Sequence, residues 1–106
     1  MKRRVTHPGR AKADAEWQRI VKDRAGYACE RCHVWYGPKS RGLHAAHIFS
    51  KGAHPATRHD PKNGIALCMR HHLYWAHTEP MEFAAWVLDR MGQEEYEALE
   101  RRANGA

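Results

Sequence analysis

The spacing of apolar residues predicts a helix near the start of the chain. Trp17 and Val21 lie four residues apart, and the apolar positions around them recur with the helical period, so we expect a helix over about residues 13–24. Asp14 is a candidate N-cap, and Gly26 is a candidate stop signal. This helix should turn Trp17 and Val21 toward the core.

Two short segments in the middle of the chain predict a strand ribbon. Residues 42–49 alternate between two sets of side chains and are bounded by loop signals, which places His47 on one strand face and His44 on the other. The apolar segment 64–67 could form the partner strand, and residues 69–76 predict a short helix. A strand pair followed by a helix brings a histidine of the first strand opposite one of the helix across a cleft.

Helical periodicity returns in residues 78–106. Pro80 belongs to the start signal of one predicted helix, which Gly92 ends, and a last helix is expected over about 93–102. Together these elements predict a mostly helical α+β protein. The side chains expected to face the core are Met81, Ala84, Ala85, Leu88 and Met91, widened by Trp86 and Val87, and then Tyr96 and Leu99.

Length and composition indicate one small domain. The chain has 106 residues, of which 42% are hydrophobic, so a single domain over 1–106 would build only a small core. Cores of this size often need a metal or disulfide staple. No apolar run is long enough for a signal peptide or a membrane span, so we expect a cytoplasmic protein with no membrane partner.

Charge is distributed unevenly along the chain. Residues 1–77 carry a net charge of +10 and residues 78–106 a net charge of −4, which add to the overall +6. A basic body of this kind suits a phosphate backbone, whose counterions it would release on binding. The N-terminal stretch 1–12 is basic and lacks an apolar period, so we expect a flexible arm. Its candidate DNA contacts are Lys2, Arg3 and Arg4.

The three cysteines have the spacing of metal ligands rather than of disulfides. An odd number cannot all pair, and Cys29-x-x-Cys32 can hold one ion from a tight turn because both sulfurs converge at tetrahedral angles. His71, three residues after Cys68, is spaced to complete a zinc site with these three cysteines. Thiols used in this way indicate a reducing compartment.

Histidines are concentrated in residues 43–77, which hold seven of the nine in the chain. A buried imidazole needs partners for both ring nitrogens, so this density indicates metal ions or phosphate. Neighbours on a helix point about 100° apart, so His71 and His72 can serve two different sites. We therefore expect His72 to turn toward a cleft that also contains His47.

The segment 27–77 combines four short motifs. They are Cys29-x-x-Cys32, Ala46-His47-Ile48, Arg58-x-Asp60-x-x-Asn63 and Leu67-Cys68-x-x-His71-His72. Together these motifs resemble the HNH endonuclease family, and more narrowly the small stand-alone HNH proteins of phages and prophages. The resemblance implies a ββα-metal (His-Me finger) motif with a zinc-ribbon-like staple over residues 27–77, flanked by N- and C-terminal helices.

The family's three signature positions fall on His47, Asn63 and His72. The resemblance implies hydrolysis of DNA phosphodiester bonds, with a structural Zn²⁺ and a second divalent ion such as Mg²⁺ or Mn²⁺. His47 would act as general base or, alternatively, bind the second metal, and His72 would be a ligand of that metal. Asn63 would orient His47 or coordinate the ion. One such site per chain implies nicking.

Two positions depart from the family pattern. His71 stands where a fourth cysteine is usual, and Ala46 stands where many members carry an Asp or His that holds the catalytic metal. His77 lies about 140° from His72 on a continuous helix, so it would join the site only if the helix frays. His44 would join it only if a bulge re-aims the side chain. The candidates for the missing ligand are His44, Asp60, the side-chain oxygen of Asn63 and His77.

The basic residues near the signature are candidate phosphate contacts, with a solvated face as the alternative. They are Arg58, Lys62 and Arg70. We expect a monomer that acts on DNA, with a dimer or a partner in phage packaging or recombination as alternatives. The rival hypothesis is a zinc-stapled DNA-binding module without cleavage, for which Ala46 is the best evidence. A protein-interaction domain would leave the basic body and the signature residues unexplained.

Overall fold

The computed structural model describes residues 9–105 and has the predicted α+β architecture. Two antiparallel strands lie between one helix on the N-terminal side and a set of helices on the C-terminal side. The elements in chain order are α1 (Arg10–Arg24), β1 (Leu43–His47), β2 (Gly64–Cys68), α2 (Met69–His71) with a π-helical turn (His72–Ala76), α3 (Pro80–Met91) and α4 (Gln93–Asn104). Two 3₁₀ turns, Pro55–Thr57 and Pro61–Asn63, interrupt the loop between the strands.

The two strands form a ribbon whose second member is fully covered. Leu43 pairs with Cys68 and His47 pairs with Gly64, so both strands have five residues in register. Every residue of β2 is buried, because this strand packs in the core cluster that α1, β1 and α3 complete. Trp17 and Val21 are the buried residues of α1, as predicted from the helical spacing.

The N-terminal helix begins earlier than the sequence pattern indicates. It starts at Arg10 rather than at about residue 13, so the last three residues of the predicted arm are helical. Asp14 is not the N-cap. It lies inside the helix, where its carboxylate pairs with Arg58. Residues 1–8, which include Lys2, Arg3 and Arg4, lie outside the described part of the chain.

The apolar stripe predicted for α3 is confirmed at Val87 and wrong at Met81. Val87 and Phe83, which was not predicted, are the buried residues of this helix, whereas Met81 is 86% exposed. The side chain of Phe83 meets Trp75 edge to face at 5.6 Å between ring centroids, which turns α3 so that Phe83 faces the π-helical turn. Leu99 of α4 is buried as predicted, and this helix continues to Asn104.

The cysteine-containing loop is attached to the free edge of β2 by one glutamate. The Glu30 backbone N–H donates to the carbonyl of Ala66 at 2.8 Å, and the Glu30 carboxylate accepts the Ala66 N–H at 2.7 Å. The same carboxylate pairs with Arg90 of α3 at 2.7 Å. Glu30 therefore satisfies backbone groups of a buried strand that would otherwise be left without partners.

None of the helices between residues 9 and 105 combines the length and the apolarity that crossing a bilayer requires.

The close approach of α1 to the ribbon generates a prediction about Gly64. A Cβ atom at this position would lie against Val21 Cγ2 and 2.7 Å from Trp17 Cζ2, so Gly64→Ala should overpack the helix–strand contact. Overpacking of this kind costs about 1–3 kcal/mol of unfolding free energy, measurable by urea denaturation. Gly52→Ala is the matched control, because a Cβ there meets nothing within 4 Å. Equal stability of the two variants would contradict the packing.

Candidate metal centre and active site

Three cysteines and one histidine converge at the end of the ribbon. The ligand atoms of Cys29, Cys32, Cys68 and His71 all lie within 4.8 Å of one another. His71 Nδ1 is 3.2 Å from the sulfur of Cys68 and 3.8 Å from that of Cys29. In a tetrahedral zinc site, bond lengths of about 2.3 Å to sulfur and 2.0–2.1 Å to nitrogen put such atoms about 3.5 Å apart. The four residues are therefore close enough to bind one metal ion.

The backbone around Cys29 is shaped to hold a charged sulfur. The Cys32 N–H points at the Cys29 sulfur at 3.5 Å, and His33, at φ 66°, bends the chain so that its N–H donates to the Cys29 carbonyl. Burial raises the pKa of the Cys29 thiol, but the backbone N–H groups of Cys32, Cys68 and Arg31 outweigh it and lower the pKa. A lowered thiol pKa favours the thiolate that binds metal.

The adjacent histidines His71 and His72 face two different sites. His71 belongs to the cysteine cluster, whereas His72 lines a cleft of about 580 Å³ on the other side. The change from α-helix to π-helix falls between them, at His72. π-helical turns are rare and are frequently found at functional sites.

The π-helical turn also brings His77 beside His72. The His77 N–H donates to the His72 carbonyl five residues earlier, and the two rings lie 4.6 Å apart. On a regular helix the two side chains would diverge by about 140°. The sequence pattern predicts that His77 joins the site only if the helix frays near Trp75. Fraying is not needed, because the wider π-helical turn brings His77 beside His72 while the hydrogen bond from the His77 N–H stays intact.

His44 contacts His72, which lines the cleft. Their Nδ1 atoms lie 2.9 Å apart, at hydrogen-bond distance. Two nitrogens that bind one ion at about 2.1 Å and at right angles would lie about 3.0 Å apart, so the same separation is compatible with two ligands of one metal. No bulge is needed to bring His44 there, since it shares a strand face with Ala46, the position where many relatives have their ligand.

His72 is kept neutral by its surroundings. Burial lowers its pKa to about 4, and the neighbouring His77, His44 and His47 add to the effect. A neutral imidazole presents the lone pair that a metal requires. Near pH 7, His72 is therefore ready to act as a ligand.

His47 is oriented by one stacking contact and one hydrogen bond. Its ring lies on the indole of Trp17, with 4.0 Å between centroids and 9° between planes. Its Nε2 is 2.9 Å from the carbonyl oxygen of Arg58, which can only accept, so Nε2 carries the proton and Nδ1 the lone pair. Burial lowers the pKa of His47. The ring is thus a neutral base with Nδ1 available.

The carbonyl that orients His47 is itself held by α1. The guanidinium of Arg58 forms two hydrogen bonds with the Asp14 carboxylate, at 2.9 and 2.8 Å, and His59 contacts the same carboxylate at 2.6 Å. The hydrogen bond from Arg58 holds the pKa of Asp14 far below its usual value. The Arg58 side chain is therefore committed to fixing the loop, which removes the main ground for predicting it as a DNA contact.

Asn63 closes the loop between the strands. It is fully buried, and its side-chain oxygen accepts the Phe49 N–H while its amide nitrogen donates to the carbonyls of Phe49 and Thr57. These bonds place the exit of β1 next to the 3₁₀ turn at residues 55–57. They support the orienting role considered for Asn63, and they occupy the amide oxygen that a metal would need.

Other predicted site residues are engaged elsewhere or exposed. The Asp60 carboxylate accepts the Lys62 N–H and pairs with Arg102, and the Lys62 side chain pairs with Glu95. Arg70 is exposed. The cleft also contains Trp17 and Lys51, which sequence reasoning did not place there. Lys51 lies shortly after the strand that carries His47, and this position in the sequence could have predicted its place in the cleft. Nothing in the sequence indicates that Trp17 stacks on His47.

Comparison with known families identifies the chain. A family model described as HNH endonuclease matches residues 14–79, well over half of the sequence. The protein therefore belongs to the HNH endonuclease family, a class of nucleases that act on DNA with a divalent metal. The comparison with curated proteins gives no significant match, and the comparison with solved structures gives none either.

Proposed function

We propose that this protein is a metal-dependent DNA endonuclease that nicks one strand by hydrolysing a phosphodiester bond. The observation that carries the proposal is the cleft that His47 and His72 share, in which His47 is neutral with Nδ1 available and His72 contacts His44 from the adjoining hollow. A base and a metal ligand facing one cavity are parts that hydrolysis of a phosphodiester requires.

His47 is the proposed general base. Its Nδ1 takes the proton from the attacking water, while the Arg58 carbonyl keeps the proton on Nε2 and so maintains the tautomer. The imidazolium formed in this step is stabilised by the parallel Trp17 ring, because the face of an indole attracts positive charge. Asn63 contributes by holding the loop that carries the carbonyl.

The proposed ligands of the catalytic ion are His44 and His72, with His77 adjacent. The ion, when bound, polarises the scissile phosphate and stabilises the leaving oxygen. Two imidazole donors favour a transition ion over Mg²⁺, which prefers oxygen ligands. Asp60, a hard oxygen donor, is not included because its carboxylate is occupied by Lys62 and Arg102.

We infer that the cysteine cluster holds a structural Zn²⁺. Three thiolates and one imidazole in a tetrahedral arrangement are a usual zinc set. The cluster joins the loop at Cys29 to the end of β2 at Cys68 and to α2 at His71, so the ion would tie together three segments of a small core. Three thiols converging on one ion fit the reducing compartment that we propose for the protein.

The rival hypothesis, a DNA-binding module without cleavage, rests on Ala46. The position of His44 weakens it, since an imidazole on the same strand face already contacts His72. The choice between the two hypotheses is made by measuring cleavage.

His47→Ala should abolish most cleavage without abolishing binding. Loss of general-base assistance costs about 10²–10⁴-fold in rate, while the cysteine cluster lies on other residues. Relaxation of supercoiled plasmid, with EDTA as the metal-free control, measures the rate. His59→Ala on the same loop is the matched control and should cleave normally, because Arg58 still holds Asp14. A His47→Ala protein as fast as the parent would show that the nuclease site is elsewhere.

Variants of the metal ligands should change the metal requirement. His44→Ala and His72→Ala should each need at least about 10-fold more divalent ion for half-maximal cleavage, the usual scale for a ligand loss. Mn²⁺ or Ni²⁺ should support faster cleavage than Mg²⁺. Asp60→Asn is the control and should leave the requirement unchanged. A raised requirement in Asp60→Asn together with an unchanged one in His44→Ala would reverse the ligand assignment.

The cysteine cluster should hold one equivalent of zinc. Elemental analysis of reduced protein measures the stoichiometry, and less than half an equivalent would count against the site. Cys68→Ala should lose the zinc and much of the folded structure, measured by circular dichroism, because structural zinc supplies folding free energy. His71→Cys should retain both, since a thiolate serves equally well in this position.

A further inference from the structure

The cleft with His47 adjoins a second hollow near the start of β1. This hollow, of about 360 Å³, is lined by Lys22 of α1 and by Arg41 of the loop before β1. Both hollows include Gln18 and Ala45, so they are neighbours. His44 lines the second hollow and contacts His72, which lines the first. The two adjoining hollows are together called the groove below, and the contact between His44 and His72 links them.

The charged side chains that line the groove are all basic when the histidines are neutral. Its lining within residues 9–105 contains no carboxylate, although the chain has 12 acidic residues. The hollow near Arg24 provides a contrast, because its Lys62 and Arg90 face Glu95 and Glu30 and are paired with them. An acid-free groove that contains basic side chains attracts anions.

The two cations of the second hollow have no competing partner. In the described part of the chain, neither Lys22 nor Arg41 forms an ion pair or a side-chain hydrogen bond. By contrast, two arginines that contact the loop between the strands have partners within the protein. Arg24 donates hydrogen bonds to two backbone carbonyls, and Arg58 pairs with Asp14. Lys22 and Arg41 are thus available to an anionic ligand.

The length of β1, whose residues line both hollows, is comparable to a short stretch of a nucleic-acid strand. Five strand residues extend about 17 Å, so the ends of β1 are separated by the length of several nucleotides. Lys51 stands beyond the end that carries His47, and Arg41 stands just before the other end. Lys22 follows Gln18 by one helical turn, which puts both on the face of α1 that borders the groove.

We propose that Lys22 and Arg41 form a phosphate-binding subsite that holds a backbone phosphate flanking the scissile one on the DNA strand that is cut. The term "scissile" rests on the proposed function, whereas the binding of a phosphate does not. The Arg41 guanidinium is suited to two phosphate oxygens at once, and Lys22 adds a point charge. Anchoring the neighbouring phosphate places the reacting one at the junction of the groove, beside His44 and His72.

The first test measures DNA affinity without added divalent ion, so that the DNA is not cleaved and, unlike in EDTA, the proposed structural Zn²⁺ stays bound. The dissociation constant of a fluorescein-labelled duplex of mixed sequence is measured against salt for the parent, Lys22→Gln and Arg41→Gln. The slope of log K against log salt should fall by about 1 for each lost phosphate contact. Lys39→Gln, an exposed cation near Arg41 but outside the groove lining, should keep the parental slope. Arg41→Lys should restore most of it.

The second test locates the contact along the strand. Uncharged methylphosphonates replace single phosphates, and one position should weaken binding to the parent several-fold while leaving the Lys22→Gln/Arg41→Gln double variant unaffected. Two results would overturn the subsite. One is a salt dependence of DNA affinity in both single variants equal to that of the parent, and the other is an equal loss of affinity in parent and double variant at every methylphosphonate position. These readouts need no catalysis, so they remain decisive even if His47→Ala still cleaves. A nuclease that passes the His47 test and fails these would lack only the subsite.

Discussion

The contact between Trp17 and the loop that joins the two strands is the interaction on which the cleft depends. The indole stacks on His47, its N–H donates to the Asp60 carbonyl at 2.7 Å, and its ring edge lies where a side chain at Gly64 would be. One residue of α1 therefore sets the plane of the proposed base, the position of the loop and the distance between helix and ribbon. Asp14, one turn earlier on α1, holds Arg58 and so the carbonyl that selects the His47 tautomer.

The division of labour between His71 and His72 follows from the change of helix type. His71 ends a short α-helical segment beside the cysteines, and His72 begins a π-helical turn that faces the cleft. The wider turn adds His77 to the same side, where a regular helix would direct it away. The proposed structural ion and the proposed catalytic ion would thus be linked through one peptide bond, so the packing that holds the first also orients the ligand of the second.

Charge pairing separates the structural cations from those available to DNA. Arg24, Arg58 and Lys62 hold carbonyls or carboxylates within the protein, although two of them lie in the signature region. Lys22 and Arg41, far apart in sequence, come together because α1 packs against the strand that Arg41 precedes. Net positive charge alone indicated an affinity for phosphate, but it did not indicate where the phosphates would lie.

Local pattern was sufficient for the elements and for the cysteine cluster. Four patterns act over a few residues, so they can be interpreted without the fold. They are the alternation in β1, the apolar run of β2, the helical spacing of Trp17 and Val21, and the short spacings Cys29-x-x-Cys32 and Cys68-x-x-His71. The family resemblance, confirmed by the match over residues 14–79, came from the same local motifs.

Only the tertiary structure decided which residues from distant segments meet in the site. The stacking of Trp17 on His47, the meeting of His44 with His72 and the engagement of Asp60 by Arg102 each join side chains more than 25 positions apart. Met81 and Phe83 of α3 were mispredicted for a related reason, since both side chains are apolar and Phe83 is the one that packs against Trp75. Periodicity identifies an apolar face, but the side chain that is buried depends on the partner surface, which packing alone supplies.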